Sequence, residues 1–180
     1  MKINFKKLSD TAIAPKKGHY NDSGFDLYAD EDATLAYGET KVIATNIALE
    51  LPDGYMADVR PRSGLTSKTA LRVQYGTVDA GYRGNIGIIC DNVSDEDARY
   101  SDAYATAAAL ARINKKNNEK ILIEKSEEHH VASVVEIKRG DKIAQLVIQK
   151  IPDIELIEAD ELNETARGAG GFGSTGVYHR

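Results

Sequence analysis

Pro52-Asp53-Gly54 stands between two apolar runs, residues 40–51 and 55–60, and this alternation of short apolar stretch and turn signal continues from residue 3 to about residue 152. A proline followed by Asp-Gly presets the dihedrals of a tight turn, so consecutive runs read as strands joined by hairpins. Further strands are expected at 24–28, 85–90, 121–125, 131–138 and 142–151. Neither strand–helix–strand alternation nor an internal repeat is visible. The pattern therefore predicts an all-β sandwich or a jelly-roll-like β-barrel. At 180 residues the chain is long enough for one domain with a real core, and it is read as a single domain, 1–180.

Two stretches depart from that pattern. Ser94-Asp95-Glu96-Asp97 resembles a capping box, the run that follows through Tyr104 and residues 105–113 is rich in alanine, and Lys115-Lys116 lie where a helix dipole favours cations. Residues 93–131 are accordingly expected to be a partly helical insertion. His129-His130 is not read as a metal site, because neighbours in a strand point to opposite faces and no cysteine or third histidine lies nearby. At the other end, Arg167-Gly168-Ala169-Gly170-Gly171-Phe172-Gly173-Ser174-Thr175-Gly176 holds five glycines and reads as a flexible Gly-rich C-terminal arm. An Arg, a Phe and a Ser-Thr pair among those glycines suit a lid, 167–180, that clamps a phosphate and covers a flat ring.

A formal net charge of −5 disfavours nucleic acid as primary partner but leaves room for a local basic pocket for a small anion. No run of eighteen apolar residues occurs, and the basic start of the chain lacks the apolar core of a signal peptide, so a cytoplasmic protein without membrane contact is expected. The single cysteine, Cys90, falls in an apolar strand and reads as a buried thiol.

Chemistry concentrates in Gly76-Thr77-Val78-Asp79-Ala80-Gly81-Tyr82-Arg83-Gly84. Its glycines are expected to take positive φ or to approach a ligand closely, and the segment reads as a strand-turn-strand hairpin with Asp79 near the tip. Alone, such an aspartate is a turn former. Four further stretches change that reading: Ser23-Gly24-Phe25-Asp26-Leu27, Pro61-Arg62-Ser63-Gly64-Leu65, Arg139-Gly140-Asp141-Lys142-Ile143-Ala144-Gln145-Leu146 and the arm 167–176.

Together and in this order, the five stretches resemble the five motifs of the trimeric dUTP pyrophosphatases, or dUTPases. Departures are Ser23 where alanine is usual, Gly81 where a second acidic residue is common, and Thr69-Ala70-Leu71 with Gln74-Tyr75 between the second and third motifs. The 93–131 insertion is similar to one in the dUTPases of staphylococcal phages.

What the resemblance implies is hydrolysis of dUTP to dUMP and pyrophosphate by in-line attack of water on the α-phosphorus. Asp79 would be the general base and Tyr82 would lie against the deoxyribose. Main-chain groups of the hairpin, at Gly76 and Val78, would read uracil. Arg62, Ser63 and the Gly64 amide would hold the inner phosphates with help from Gln145. Arg167 would pair with the γ-phosphate, Phe172 beside Gly173 would stack on the base, and Ser174 and Thr175 would donate to phosphate oxygens. Mg2+ would be carried by the phosphates and waters with no direct protein ligand, Asp26 serving in its outer sphere or, like Asp141, structurally. A homotrimer with sites shared between subunits follows, as does a second role in binding a repressor or other regulatory protein through the insertion. The rivals are a dCTP deaminase-like enzyme and a non-catalytic nucleotide-sensing module.

Overall fold

Two antiparallel sheets enclose the core, and the computed structural model describes residues 1–94 and 134–170 of them and their surroundings. In chain order the strands are β1 Asn4–Lys7, β2 Phe25–Tyr28, β3 Ala33–Leu35, β4 Thr40–Ala44, β5 Ile47–Glu50, β6 Tyr55–Pro61, β7 Leu71–Val73, β8 Gly76–Val78, β9 Gly87–Asn92, β10 Val135–Ile137 and β11 Lys142–Lys150, with one short helix, α1 Ser63–Thr66, after β6. A four-stranded sheet runs β2-β11-β6-β8 and a three-stranded one β4-β9-β7, with the pairs β1-β5 and β10-β3 closing the sides. Side chains on alternate positions point inward, so Leu27, Val59 and Leu146 from the larger sheet meet Ile43, Ile88 and Cys90 from the smaller in one apolar cluster. The all-β expectation holds. No helix among the described residues is long and apolar enough to cross a membrane.

The run 40–51 is two strands in different sheets rather than one. The chain turns at Asn46, a non-glycine residue at φ 50°, so β4 pairs with β9 while β5 pairs with β1. The side-chain amide of Asn46 explains why a residue with a Cβ tolerates the left-handed region, since Nδ2 donates to Asp30 Oδ2 at 2.7 Å. Strand β1 was invisible in the sequence because every one of its positions is exposed, which leaves no alternation to detect. The proposed strand at 121–125, the helical part of the insertion and Phe172 to Thr175 lie outside the described residues.

Asp30 is a buried hub. Its Oδ2 accepts from Ser9 Oγ and from Asn46, and its main-chain oxygen accepts from Arg139 Nε at 3.1 Å, which ties the N-terminal segment, the β4-β5 turn and the fourth motif together. Burial pushes its carboxyl upward, but hydrogen bonds from Ser9, Asn46 and Thr11 together with the Arg139 charge carry it below the ordinary carboxylate value. A carboxyl lowered on folding contributes stability above its unfolded pKa, near 4, and loses that contribution as pH falls through the folded value. The wild-type advantage over Asp30→Asn in urea midpoint is therefore full at neutral pH and shrinks as pH falls below about 4. An advantage independent of pH would show that the contribution is not electrostatic.

Cys90 is a free, fully buried cysteine whose thiol is pushed up to about 12 by burial and by the Asp91 carboxylate. It is a packing residue rather than a nucleophile.

Candidate active site

Strand β11 is flanked by β2 and β6, and this adjacency assembles three of the motifs at one end of the larger sheet. Asp26 on β2 bonds Arg62 Nε at 3.2 Å through Oδ1 and Lys142 Nζ at 2.9 Å through Oδ2. The Arg62 guanidinium also donates from Nη1 to the Lys142 carbonyl at 2.8 Å, so two of its faces are spent on the scaffold. Gln145, opposite both Asp26 and Arg60 in register, donates from Nε2 to Pro61 O at 2.9 Å. Ser63 opens α1 immediately after these residues, with Arg62 as its extended cap residue. The amides of Leu65 and Thr66 return to Arg62 O, which leaves the leading amides of the turn for another acceptor. Lys142, quoted within the fourth motif but given no role from sequence, could have been found from its charge and its register opposite Tyr28, two residues from Asp26.

Asp141 has a structural place. Its Oδ2 accepts from the Lys138 amide at 2.9 Å and its carbonyl accepts from the Ala29 amide at 2.9 Å, closing the turn in which Gly140 sits at φ 90°.

The third motif lies elsewhere. Strand β8 pairs with β6 so that Val78 faces Ala57 and Gly76 faces Val59. Asp79 therefore leaves the sheet beyond Ala57, whereas Ser63 lies past Pro61 at the other end of β6. With about 3.3 Å of rise per strand residue the separation is roughly 20 Å. Strands β8 and β9 belong to different sheets, so the segment between them is a crossover between sheets and not the expected hairpin. Nor do Gly76, Gly81 or Gly84 adopt positive φ, which among the described glycines is confined to Gly38, Gly54, Gly140 and Gly168.

The crossover is nevertheless built. Tyr82 N donates to Asp79 O at 3.1 Å, closing a turn over Ala80 and Gly81. The Tyr82 hydroxyl donates to Asn85 O at 2.9 Å, and a Cβ on Gly84 would lie within 3 Å of the tyrosine ring. Gly84 is thus required by the ring that packs on it, and Tyr82 presents its other side to solvent at 47% exposure. Asp79 is exposed on the same turn. As the edge strand of its sheet, β8 leaves alternate main-chain N–H and C=O groups facing away from β6.

From residue 151 to residue 169 the chain is exposed at every position, with Ile154 at 67%, Leu156 at 94%, Ile157 at 80% and Leu162 at 88%. Arg167 lies within this stretch, its Nε donating to Gly170 O at 2.9 Å. It touches none of the other site residues described.

The dUTPase family model matches residues 10–127 and 128–176. The chain belongs to the dUTPase family. A deoxyuridine 5'-triphosphate nucleotidohydrolase of Thermobifida fusca is 38% identical over 99% of this chain and 80% of its own length, and one of Gloeothece citriformis is 38% identical over 98% of each. Among solved structures, a dUTPase of Staphylococcus bacteriophage 80alpha with dUpNHpp aligns with TM-score 0.78 and 34% identity, covering 98% of this chain and 99% of its own. It is described as controlling transfer of virulence genes by a proto-oncogenic G protein-like mechanism. A dUTPase mutant from phage phi11 of S. aureus, TM-score 0.69 and 31% identical over 89% of this chain and 98% of its own, is described with a structural Mg(II) ion.

Proposed function

We propose that this dUTPase hydrolyses dUTP to dUMP and pyrophosphate in sites that three copies of the chain build together. The observation that carries this reading is the separation of Asp79 from Ser63 along β6, because the two cannot meet around one triphosphate within a single chain. The exposed apolar side chains of the arm support the same assembly: Ile154, Leu156, Ile157 and Leu162 would be buried by lying on a neighbouring copy. The arm would then deliver Arg167, and Phe172, Gly173, Ser174 and Thr175 after it, to a site on another subunit. A trimer by light scattering, at concentrations where the enzyme is active, is the expected state.

In that site Asp79 takes a proton from a water as the water's oxygen forms a bond to the α-phosphorus, and the bond from the α-phosphorus to the bridging oxygen breaks in line to release pyrophosphate. Ser63 and the Gly64 amide hold the inner phosphates, the first amides of α1 being free of helical partners. Gln145 adds its remaining amide hydrogen. Arg62, anchored to Asp26 and to the Lys142 carbonyl, contributes its positive charge from a fixed place. Main-chain groups of the edge strand β8, at Gly76 and Val78, read the uracil edge, which offers two acceptors and one donor. Tyr82, braced by Gly84 and Asn85, presents a rigid face to the deoxyribose and leaves no room for a 2′-hydroxyl.

Mg2+ would enter this site on the substrate phosphates. No group of three carboxylates, histidines or cysteines is gathered among the described residues, and both oxygens of Asp26 are already engaged by cations. Asp26 would be a partner of such an ion through water, and the ion would supply positive charge against the departing pyrophosphate.

Offering the purified protein dUTP, UTP, dTTP and dCTP with magnesium tests the reading. Pyrophosphate from dUTP alone is the expected outcome. Ammonia from dCTP would point to a deaminase, and binding without turnover to a nucleotide sensor. The reaction belongs in the cytoplasm, of the host if the chain is phage-encoded.

A second role, binding a repressor or other regulatory protein through the insertion, fits an insertion that joins the scaffold at one place. Asn92 Nδ2 donates to Leu35 O at 3.0 Å, the Ser94 amide returns to Asn92 Oδ1 at 3.0 Å, and Val135 stands opposite Leu35 in the β10-β3 pair. The intervening segment thus leaves and rejoins the scaffold at one residue, as an addition to a complete single domain would. Replacing the insertion, residues 93–131, by a short Gly-Ser turn is expected to spare the trimer and most dUTP hydrolysis while weakening binding to a regulatory protein. Partner affinity unchanged by the replacement would remove the insertion from that role.

A further inference from the structure

Gly24 has no conformational reason to be glycine. Its φ lies outside the left-handed region, in the bend that leads into β2. What an added side chain would meet is Gln145: a Cβ on Gly24 would stand 2.5 Å from Gln145 Oε1, 3.2 Å from its Cβ and 3.3 Å from its Cδ. Gln145 lies on the central strand β11 and reaches along the sheet so that its amide oxygen covers Gly24 on one neighbour while its nitrogen holds Pro61 O at the end of the other.

Pro61 leads directly through Arg62 into Ser63, so the bond that Gln145 makes to its carbonyl fixes where α1 begins relative to β11. The amide is confined to this pose from both sides: by an acceptor at Pro61 and by the bare α-carbon at position 24. We propose that Gly24 is a positioning residue for the reaction, its missing side chain being the space in which the Gln145 amide is aligned toward the phosphates. This rests on the assignment of Gln145 and Ser63 to the phosphate site.

The contact expected for an alanine falls chiefly on the far end of a flexible side chain, which can swing away at little cost to the fold. The Pro61 bond and the alignment are what would be lost. A displacement of about 1 Å in a positioning group costs up to 100-fold in rate, so Gly24→Ala is expected to lower kcat roughly 10- to 100-fold, with a much smaller change in KM and in thermal midpoint.

The decisive measurement is a double-mutant cycle of Gly24→Ala and Gln145→Ala, reading kcat, KM and thermal midpoint with dUTP as substrate. If Gly24 acts through Gln145, the double variant is no slower than Gln145→Ala alone, since there is no longer an amide to displace. Should Gly24→Ala fold poorly, recovery of folding in the double variant identifies the same clash and supports the proposal. Failure to recover, losses that multiply, or a wild-type kcat in Gly24→Ala beside an impaired Gln145→Ala would each overturn it. Gln145→Ala with unchanged kcat and KM would instead remove Gln145 from the site and take the proposal with it, which separates failure of the underlying assignment from failure of the positioning role.

Discussion

Asp79→Asn is expected to bind dUTP with near-normal affinity and to lose about 10²–10⁴ in kcat, the usual contribution of a positioned general base. Binding survives because asparagine keeps the shape of the side chain and because the turn beneath it does not depend on the carboxylate. That turn is closed by the Tyr82 amide on the Asp79 carbonyl, and the ring beyond it is held by Asn85 and Gly84. A carboxamide nitrogen cannot accept the proton of the attacking water, whereas a carboxylate oxygen can. The two properties separate experimentally: pyrophosphate release gives kcat, and titration with a non-hydrolysable dUTP analogue gives affinity. Loss of both together would indicate a collapsed turn, and a near-normal kcat would take Asp79 out of the proton transfer.

The legibility of this chain differs between its parts for physical reasons. Strands that bury one face announced themselves, as with 24–28, 55–60 and 142–151, which correspond to β2, β6 and β11. Strand β1 did not, because it holds its place by pairing with β5 and exposes every side chain. Local pattern also could not reveal that β8 and β9 enter different sheets, since both are short and each satisfies its alternation without naming its partner. The break at Asn46 was hidden for a related reason: what permits its positive φ is the carboxylate of Asp30, sixteen positions away.

The site residues were legible as motifs but not as a constellation. Sequence order brings Ser63 and Asp79 within a few turns of chain, yet β6 carries them to opposite ends of the sheet. Arg62 shows the converse effect: read from its neighbours it is a phosphate ligand, but two of its donating groups are already committed to Asp26 and the Lys142 carbonyl. No spacing rule conveys such a commitment, because its partners come from the first and fourth motifs and meet only when β11 lies between β2 and β6.

Truncation after residue 166 and truncation after residue 150 are expected to differ in kind. The shorter deletion removes Arg167 and all that follows but keeps Ile154, Leu156, Ile157 and Leu162, so the trimer should persist while kcat falls steeply. Arg167→Ala alone should lower kcat and not merely raise KM, by roughly 10²–10³, because its charge-assisted bonds tighten as charge develops on the leaving pyrophosphate. The longer deletion also removes those four apolar side chains. Fully burying each of them contributes about 1.5–3 kcal/mol, a sum comparable with the whole stability of an ordinary domain, so losing them should release monomers even though the core loses none of its buried members. Light scattering and pyrophosphate release on the two truncations discriminate the roles. A trimer that survives the longer deletion would show that the arm adds nothing to assembly, and full activity after the shorter one would show that catalysis needs neither Arg167 nor the glycine-rich segment behind it.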